Sequence, residues 1–272
     1  MKRIFLVGAP RSGTTILQSL LAAHPKITSF PETKFFHHLW TDRLSRKLPN
    51  RLREFFHKEI RRPDLYNEAE VYRRQSTTDR INWFIGVLDK LAIEEGNQVW
   101  LEKTPEHIYF IEGILDYLPE AKFIHIVRHP LDVVASMREA TKAPGSDVLW
   151  GGEWTVEFCV SRWNSSALIT HQFCPKPHQH LIVRYENLLK DKIWLLSQCC
   201  CFIDIDYDRE MLRNYQAEGL RLGLGHPWHE GIDRVIEPAI VPKYKDILSQ
   251  DDILYVLKNT AELRQKFGYG CD

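Results

Sequence analysis

The sequence has no long hydrophobic run and no excess of charge of either sign. No window approaches the ~18 apolar residues of a membrane-spanning helix, so we expect no membrane span. The 36 lysines and arginines equal the 36 aspartates and glutamates, which gives a formal net charge of zero. Because non-specific binding to nucleic acid needs a strong basic excess, no nucleic-acid partner is expected. A local basic pocket for a small anion is still compatible with this composition.

Features typical of secreted proteins are also missing. The N-terminal segment has two basic residues and a short apolar run that leads directly into a glycine-bearing motif, whereas a secretory signal needs a longer apolar stretch. The six cysteines form no C-x-x-C pair, although Cys199, Cys200 and Cys201 are consecutive. The chain is not a small disulfide-dense protein, so we expect reduced cysteines and a cytoplasmic location.

Four short apolar runs predict the strands of a buried sheet, at residues 3–7, 98–101, 122–127 and 180–184. Helical patterns follow these runs, which indicates parallel βαβ units. Long helices are predicted within residues 155–170, 186–200 and 251–267. The predicted fold is one α/β domain over residues 1–272, a three-layer sandwich with a central, mostly parallel sheet.

A stretch at about residues 33–97 separates the first two predicted strands and is too long for a plain crossover. It is rich in charged and aromatic residues and should be mostly helical. An insertion of this kind often forms the wall or lid of an acceptor site. For any single aromatic residue, packing of the insertion against the sheet is the more common explanation.

The strongest single signal is residues 8–15, GAPRSGTT, between the first strand and a predicted helix. Its glycines permit a tight turn with φ > 0, whose backbone N–H groups point inward. The following helix adds its positive N-terminal end, so the assembly can hold a phosphate-like anion. A glycine-bearing turn can be purely structural, but an arginine, a serine and two threonines in this run favour a P-loop-like anion site.

The same segment departs from the nucleotide-kinase motif G-x-x-x-x-G-K-[ST], whose lysine contacts the β- and γ-phosphates. Gly8 and Gly13 have the right spacing, but Thr14 replaces the lysine and the cation is Arg11, inside the loop. No apolar strand ends in the aspartate that would hold magnesium, since the third strand leads into Arg128. These differences argue against a metal-dependent ATP kinase.

A second candidate anion site is residues 123–136, FIHIVRHPLDVVAS. Arg128 comes at the end of a buried strand, Pro130 opens a helix, and Ser136 lies nearly two turns into that helix. The guanidinium fork and the hydroxyl could hold separate oxygens of one phosphate. Considered alone, Arg128 could equally be an ion-pair partner and Ser136 an ordinary helix residue.

Together, the two elements resemble the sulfotransferases that use 3′-phosphoadenosine-5′-phosphosulfate (PAPS), in the family's order and over Met1 to about Leu189. The resemblance implies that the first element binds the 5′-phosphosulfate and the second the 3′-phosphate. The implied 5′ residues are Arg11, Ser12, Gly13, Thr14 and Thr15. The implied 3′ residues are Arg128 and Ser136.

Two further nucleotide contacts are implied by the resemblance. In related enzymes a tyrosine in a Y-E-[DN] context touches the adenine, which assigns Tyr185 of R-Y-E-N-L. Lys243 is similar to a basic residue of the family's C-terminal nucleotide loop. The resemblance is looser in this C-terminal part of the chain.

The acceptor side also resembles the family. Glu32 of F-P-E-T-K matches the general base of tyrosylprotein and heparan sulfate sulfotransferases, and Lys103 of E-K-T-P matches the catalytic lysine of glycan sulfotransferases. Glu32 would take the acceptor's proton, and Lys103 with Arg11 would stabilise charge on the leaving phosphate. Glu102 is either a supporting partner or a competing base. His107 is an alternative base, as histidine is in cytosolic small-molecule sulfotransferases.

The implied reaction moves a sulfuryl group from PAPS to a hydroxyl or amine and releases 3′-phosphoadenosine-5′-phosphate (PAP), without a metal. A glycan, a glycolipid, a tyrosyl group and a small metabolite are all open as acceptors, and the oligomeric state is open too. The alternatives are a P-loop-type nucleotide kinase and a non-catalytic nucleotide-binding module. The histidine-rich residues 225–230 are not predicted to bind zinc, because Pro227 and the flanking glycines disfavour the helix of an H-E-x-x-H site.

Overall fold

A five-stranded parallel sheet forms the centre of the computed structural model, which describes residues 1–41, 47–67, 76–142, 151–222 and 244–270. The strand order is β2-β3-β1-β4-β5, and each neighbouring pair is parallel. This arrangement confirms the predicted α/β class and central sheet. The strands are β1 (Lys2–Gly8), β2 (Ile27–Phe30), β3 (Val99–Lys103), β4 (Lys122–Val127) and β5 (His180–Arg184).

Helices connect the strands and cover both faces of the sheet. Before β4 they are α1 (Thr14–Ala22), α2 (Phe35–Thr41), α3 (Lys47–Glu54), α4 (Thr77–Glu94) and α5 (Ile111–Tyr117). Between and after the last two strands they are α6 (Pro130–Lys142), α7 (Val156–Phe173), α8 (Tyr185–Lys190), α9 (Lys192–Ile203), α10 (Glu210–Arg213), α11 (Tyr215–Arg221), α12 (Tyr244–Ile247) and α13 (Gln250–Lys266). Shorter π and 3-10 turns are Phe55–Glu59, Pro63–Leu65 and Pro105–Phe110.

The pleat of β1 divides its side chains between two cores. Ile4 and Leu6 pack in a cluster with α1 and α9, whereas Phe5 pairs with Phe36 and Trp100 on the opposite face. Side chains alternate in this way because successive residues of a strand point to opposite faces. Burying each of these side chains contributes ~1.5–3 kcal/mol. The sheet is therefore the middle layer of three.

The stretch predicted as a mostly helical insertion contains α2, α3 and α4 and packs its aromatic residues tightly. Phe35 stacks on Phe84 with ring centroids 4.0 Å apart, and both are buried. Phe55 and Phe56 are also buried, in the same cluster as β1 residue Phe5. These aromatic rings fix the helices to the sheet, so packing explains them. That the stretch is an insertion in a single domain, and walls an acceptor site, stays a prediction.

The sequence analysis did not identify strand β2. Its four residues include Thr28 and Ser29, whose hydroxyls made the run look polar, yet both are buried. Thr28 donates to Glu95 Oε2 at 2.6 Å, and Ser29 donates to the Leu101 carbonyl at 3.2 Å. Because these partners are distant in sequence, the local pattern could not indicate the strand.

The long helix predicted within residues 186–200 is wrong as a single element. Helix α8 ends at Lys190, and Asp191 adopts an extended backbone before α9 begins. The Asp191 carboxylate accepts a hydrogen bond from the Trp194 backbone N–H at 2.9 Å, which caps α9. The break turns α9 onto the sheet face that carries α1.

Candidate active site

The predicted site residues lie at the carboxyl ends of the five strands, along one edge of the sheet. Parallel α/β sheets bind ligands at this edge. In strand order, the edge carries Glu32 after β2, Lys103 at the end of β3, residues 9–13 after β1, Arg128 after β4 and Tyr185 after β5. Gly13 and Tyr185, which are 172 positions apart in the chain, are thereby placed in close contact.

The loop after β1 has the strained backbone that an anion-binding turn requires. Arg11 and Gly13 have φ values of 69° and 97°, in the left-handed region. A Cβ atom on Gly13 would lie 2.3 Å from Cδ2 of Tyr185, so only glycine fits beneath that ring. The Ser12 hydroxyl is buried and has no hydrogen-bond partner among the described residues. A buried polar atom of this kind is a candidate ligand contact.

A hydrogen bond connects the two predicted anion-binding elements. Nε of Arg11 donates to the Ser136 hydroxyl at 3.1 Å. Burial lowers the pKa of the Arg11 guanidinium, with Glu139 acting in the opposite direction and Arg128 adding to the fall. The structure thus pairs Ser136 with Arg11, while the sequence analysis expected Arg128 and Ser136 to share a phosphate.

Arg128 is fixed by aromatic neighbours rather than by a close ion pair. Its guanidinium carbon lies 4.5 Å from the Tyr185 ring centroid, a cation–π contact, and its Nη2 lies 4.0 Å from Oδ2 of Asp132. Trp163 Nε1 donates to the Arg128 carbonyl at 3.0 Å. Burial raises the pKa of Tyr185, and nearby Arg128 opposes that rise. Nε of Arg128 is buried without a hydrogen-bond partner in the described part of the chain.

Glu186 joins this part of the site to the C-terminal residues, a contact that the sequence analysis missed. Its Oε1 accepts a hydrogen bond from the His129 backbone N–H at 2.9 Å. Its Oε2 accepts one from the Tyr269 hydroxyl at 2.7 Å. The sequence feature that could have indicated Glu186 is its position directly after Tyr185, in the Y-E-N segment.

On the β2/β3 side, Glu32 and Lys103 form an ion pair in which Lys103 Nζ donates to Glu32 Oε1. The Lys103 side chain is fully buried, whereas 31% of the Glu32 side chain is exposed. Arg51 of α3 donates to the Glu32 backbone carbonyl and pairs with Glu59 at 2.5 and 2.8 Å. No local sequence pattern indicated Arg51, because it lies 19 residues beyond Glu32.

Glu102 lies behind this ion pair and accepts four hydrogen bonds. The donors are the Thr33 backbone N–H (3.1 Å), the Thr33 hydroxyl (2.9 Å), the Thr104 hydroxyl (2.6 Å) and His107 Nδ1 (2.9 Å). Burial acts to raise the pKa of the Glu102 carboxyl, but His107 and the hydroxyl and backbone donors hold it below its usual range. His107 is fully buried, with one ring nitrogen committed to this carboxylate.

Some predictions cannot be placed on this structure. Lys243 and the histidine-rich residues 225–230 lie outside the described residues. Over the described ranges, no three histidine, cysteine, aspartate or glutamate side chains are grouped as a metal site. Over the same ranges, no helix has the length and apolar character needed to cross a membrane.

Comparisons with known proteins agree with this geometry. The chain is 23% identical to protein-tyrosine sulfotransferase A of Caenorhabditis elegans over 279 residues, which cover 98% of this chain and 67% of that protein. The sulfotransferase domain from the Synechococcus PCC 7002 olefin synthase matches with a TM-score of 0.66 at 23% identity, covering 99% of this chain and 95% of that one. Mouse sulfotransferase SULT7A1, complexed with PAP, matches with a TM-score of 0.56 at 15% identity, covering 97% and 85%.

The family model with the description "Sulfotransferase family" matches residues 3–209, which include all five strands and the predicted site residues from Arg11 to Tyr185. The two structural matches agree with the fold. The chain therefore belongs to the sulfotransferase family.

Proposed function

We propose that this sulfotransferase uses PAPS as the donor and transfers its sulfuryl group to a hydroxyl or amine of an acceptor, releasing PAP. The observation that carries the proposal is the order of groups along the sheet edge. A carboxylate–lysine pair lies on one side of the phosphate-loop arginine, and an arginine stacked on a tyrosine lies on the other. One extended ligand along this edge would meet a base, then cations, then an aromatic ring.

The residues after β1, β4 and β5 fit the proposed donor. Residues 11–15 would hold the 5′-phosphosulfate, through the Ser12 hydroxyl and the backbone N–H groups at the start of α1. Arg128 and Ser136 would hold the 3′-phosphate, and the Tyr185 ring would contact the adenine. The buried Ser12 hydroxyl and Arg128 Nε support this assignment because they point to ligand contacts. PAP in the matched mouse enzyme also supports PAPS as the donor.

The residues after β2 and β3 would supply the acceptor chemistry. The acceptor oxygen forms a bond to sulfur while the bond from sulfur to the bridging phosphate oxygen breaks, and PAP leaves. The acceptor's proton passes to Glu32, whose partly exposed carboxylate can reach a substrate. Lys103, with Arg11, would stabilise the charge that develops on the leaving phosphate. His107 is a weaker candidate base because it is fully buried and bonded to Glu102.

The acceptor class stays open among glycans, glycolipids, tyrosyl groups and small metabolites. The similarity to a protein-tyrosine sulfotransferase adds weight to the tyrosyl group. A cytoplasmic location and independence from metal stay predictions. The kinase alternative is not favoured, because Thr14 stands where that motif has its lysine.

The direct test is a thermal-shift titration with PAP, compared with AMP, ADP and ATP–magnesium, with EDTA in the metal-free arms. A ligand at ~100 times its dissociation constant stabilises a protein by ~2.7 kcal/mol, which is readily measured. We expect PAP to raise the melting temperature in the presence of EDTA, and the mononucleotides to have little effect. A shift with ATP–magnesium alone would overturn the proposal in favour of the kinase.

A further inference from the structure

We propose that Glu102 is a positioning residue that holds Glu32 and Lys103 at a fixed separation. The inference rests on the roles proposed above for those two residues. Glu102 accepts hydrogen bonds from Thr33 and Thr104, the chain neighbours of Glu32 and Lys103, and we place its action in those neighbours. The known motif E-K-T-P draws attention to the lysine, whereas the geometry points to the glutamate before it.

Three of the four hydrogen bonds that Glu102 accepts come from residues next to Glu32 and Lys103 in the chain. Thr33 directly follows Glu32, and it donates both its backbone N–H and its hydroxyl to Glu102. Thr104 directly follows Lys103, and its hydroxyl donates to the same carboxylate oxygen. Glu102 itself directly precedes Lys103. The Glu102 carboxylate thus connects the segment after β2 to the segment after β3 by hydrogen bonds. Glu102 and its partner Thr104 flank Lys103 in the chain.

A second contact strengthens the same connection. The Thr104 hydroxyl that donates to Glu102 also accepts a hydrogen bond from the Lys34 backbone N–H at 3.1 Å. Thr33 and Lys34 are therefore both bound to the β3 segment. Because Lys34 has a left-handed backbone (φ 51°), the chain reverses locally at this point and depends on such contacts to hold its conformation.

The burial of Glu102 favours a positioning role over a role as a competing general base. Glu102 is 1% exposed, and Thr33, Thr104 and His107 are equally inaccessible. Three donors crowd Oε1 of Glu102, and His107 Nδ1 takes Oε2. The residues that cover Glu102 would have to move before an acceptor substrate reached it. Glu32, with 31% of its side chain exposed, has no such obstacle.

The test uses two substitutions that each weaken the hydrogen bonds to Glu102, together with a matched control. Glu102→Gln keeps the size of the side chain but replaces an acceptor oxygen with a donor NH₂ group. Thr104→Val removes the hydroxyl that donates to Glu102, whereas Thr104→Ser keeps a hydroxyl at this position. The control is Glu95→Gln, because Glu95 also accepts a hydrogen bond from a β2 threonine, Thr28 at 2.6 Å, but on the exposed side away from the site.

The first readout does not need the acceptor. Lys103 is buried and paired, so an amine-acetylating reagent followed by peptide mass spectrometry should label it slowly in the native protein. We expect Glu102→Gln and Thr104→Val to raise the labelling rate of Lys103 several-fold, while Thr104→Ser and Glu95→Gln leave it unchanged. Lys90, with 57% of its side chain exposed, reports whether labelling has risen throughout the protein.

The second readout is release of PAP from PAPS with 4-nitrophenol as a probe acceptor and with water alone. We expect Glu102→Gln to lower kcat ~10–100-fold, the scale of loss that follows ångström displacements of reacting groups. The PAP-induced thermal shift should be unchanged, because residues 11–15 and Arg128 follow other strands. Thr104→Ser should recover the activity that Thr104→Val loses.

The outcomes separate this inference from the proposed function. Unchanged Lys103 labelling in both Glu102→Gln and Thr104→Val would overturn the positioning role, whatever the activity. Labelling that rises equally at Lys90 and Lys103 would also overturn it, since the effect would be general destabilisation. If the native protein neither binds PAP nor consumes PAPS, the proposed function fails, and the labelling result still decides how Glu102 acts.

Discussion

The two halves of the site differ in how their principal groups are held, although buried atoms without a partner in the described chain occur in both, as at His107 Nε2 in the acceptor half. In the donor half, defined as the residues after β1, β4 and β5, buried polar atoms such as Ser12 Oγ and Arg128 Nε have no hydrogen-bond partner within the described ranges. In the acceptor half, the residues after β2 and β3, Glu32 is paired with Lys103 and Glu102 accepts four hydrogen bonds.

This contrast has a physical reason. A buried polar atom without a partner costs ~1–3 kcal/mol, and a ligand that bonds to it recovers that cost on binding. Under the proposed function, these atoms of the donor half are the ones to which PAPS would bond. The acceptor half instead holds reactive charges in place with the protein's own groups, so its geometry exists before any acceptor arrives. The predictions below alter one half and ask whether the other responds.

The largest expected effect is on turnover, from Glu32→Gln. Removal of a general base typically costs ~10²–10⁴-fold, so PAPS consumption should fall by that range while the PAP-induced thermal shift is kept. A Glu54→Gln variant is the control, because Glu54 is a half-exposed carboxylate 3.5 Å from Arg51, which also contacts the Glu32 backbone. Unchanged turnover in Glu32→Gln would exclude Glu32 as the general base, whereas PAP binding without turnover in the native protein would favour the non-catalytic binding module.

A smaller effect, confined to the donor half, is expected from Gly13→Ala. The added Cβ would lie 2.3 Å from the Tyr185 ring, in a left-handed turn, so the ring and the loop must shift. We expect the PAP dissociation constant, measured by calorimetry, to rise at least ~10-fold, equivalent to ~1.4 kcal/mol. Gly96→Ala shares the positive φ but meets no atom within 4 Å.

The Gly96→Ala control therefore separates backbone strain from the contact with Tyr185. It should lower stability slightly and leave PAP affinity as it is. If both variants bind PAP equally well, the close packing of Gly13 against Tyr185 does not shape the nucleotide site.

The last effect is on stability in mild acid rather than on binding or turnover, and it concerns the strands of the donor half. Burial lowers the pKa of His125 to about 3 and that of His180 to about 4, and the two rings are hydrogen-bonded at 3.0 Å. The unfolded chain takes up these protons first, near pH 6.5, so stability is complete above that pH and is lost as the pH falls toward 4. The slope is at most ~1.4 kcal/mol per pH unit for each ring.

Urea denaturation at pH 7, 6 and 5 measures this slope. A double variant, His125→Phe with His180→Phe, should flatten it, since His180 already stacks between Phe123 and Phe173 at 5.2 and 4.3 Å. Exposed His178→Gln should leave it unchanged. The carboxyl of Glu102 contributes only at lower pH, because its pKa is below the usual carboxyl range. An identical slope in the double variant would assign the acid sensitivity to other groups.

Local patterns in the sequence were enough to predict most of the strands and the strand ends that carry the candidate site residues. Apolar runs predicted β1, β3, β4 and β5, and the GAPRSGTT and RHP segments predicted which strand ends carry cations. Strand β2 could not be predicted in this way, because the partners of Thr28 and Ser29 lie on other elements. The break at Asp191 was missed because a capping residue inside an apolar pattern resembles an ordinary helix position.

The site was less predictable where tertiary contacts decide a role. The pairing of Arg11 with Ser136 joins residues 125 positions apart, and Arg51 reaches Glu32 from the helical stretch. Glu102 shows the limit most clearly. The sequence left it as either a supporting partner or a competing base, and only its burial and four donors distinguish the two.

The hydrogen bond between Tyr269 and Glu186 has a practical meaning for how this protein is handled. The family match ends at residue 209, yet Tyr269 reaches back to the carboxylate that holds the His129 backbone. The Tyr269 ring also lies 4.1 Å from the Arg184 guanidinium. A fragment trimmed to the family boundary would lose the support that the chain's last turn gives to the strand end beside Arg128. The minimal folded unit therefore includes Tyr269.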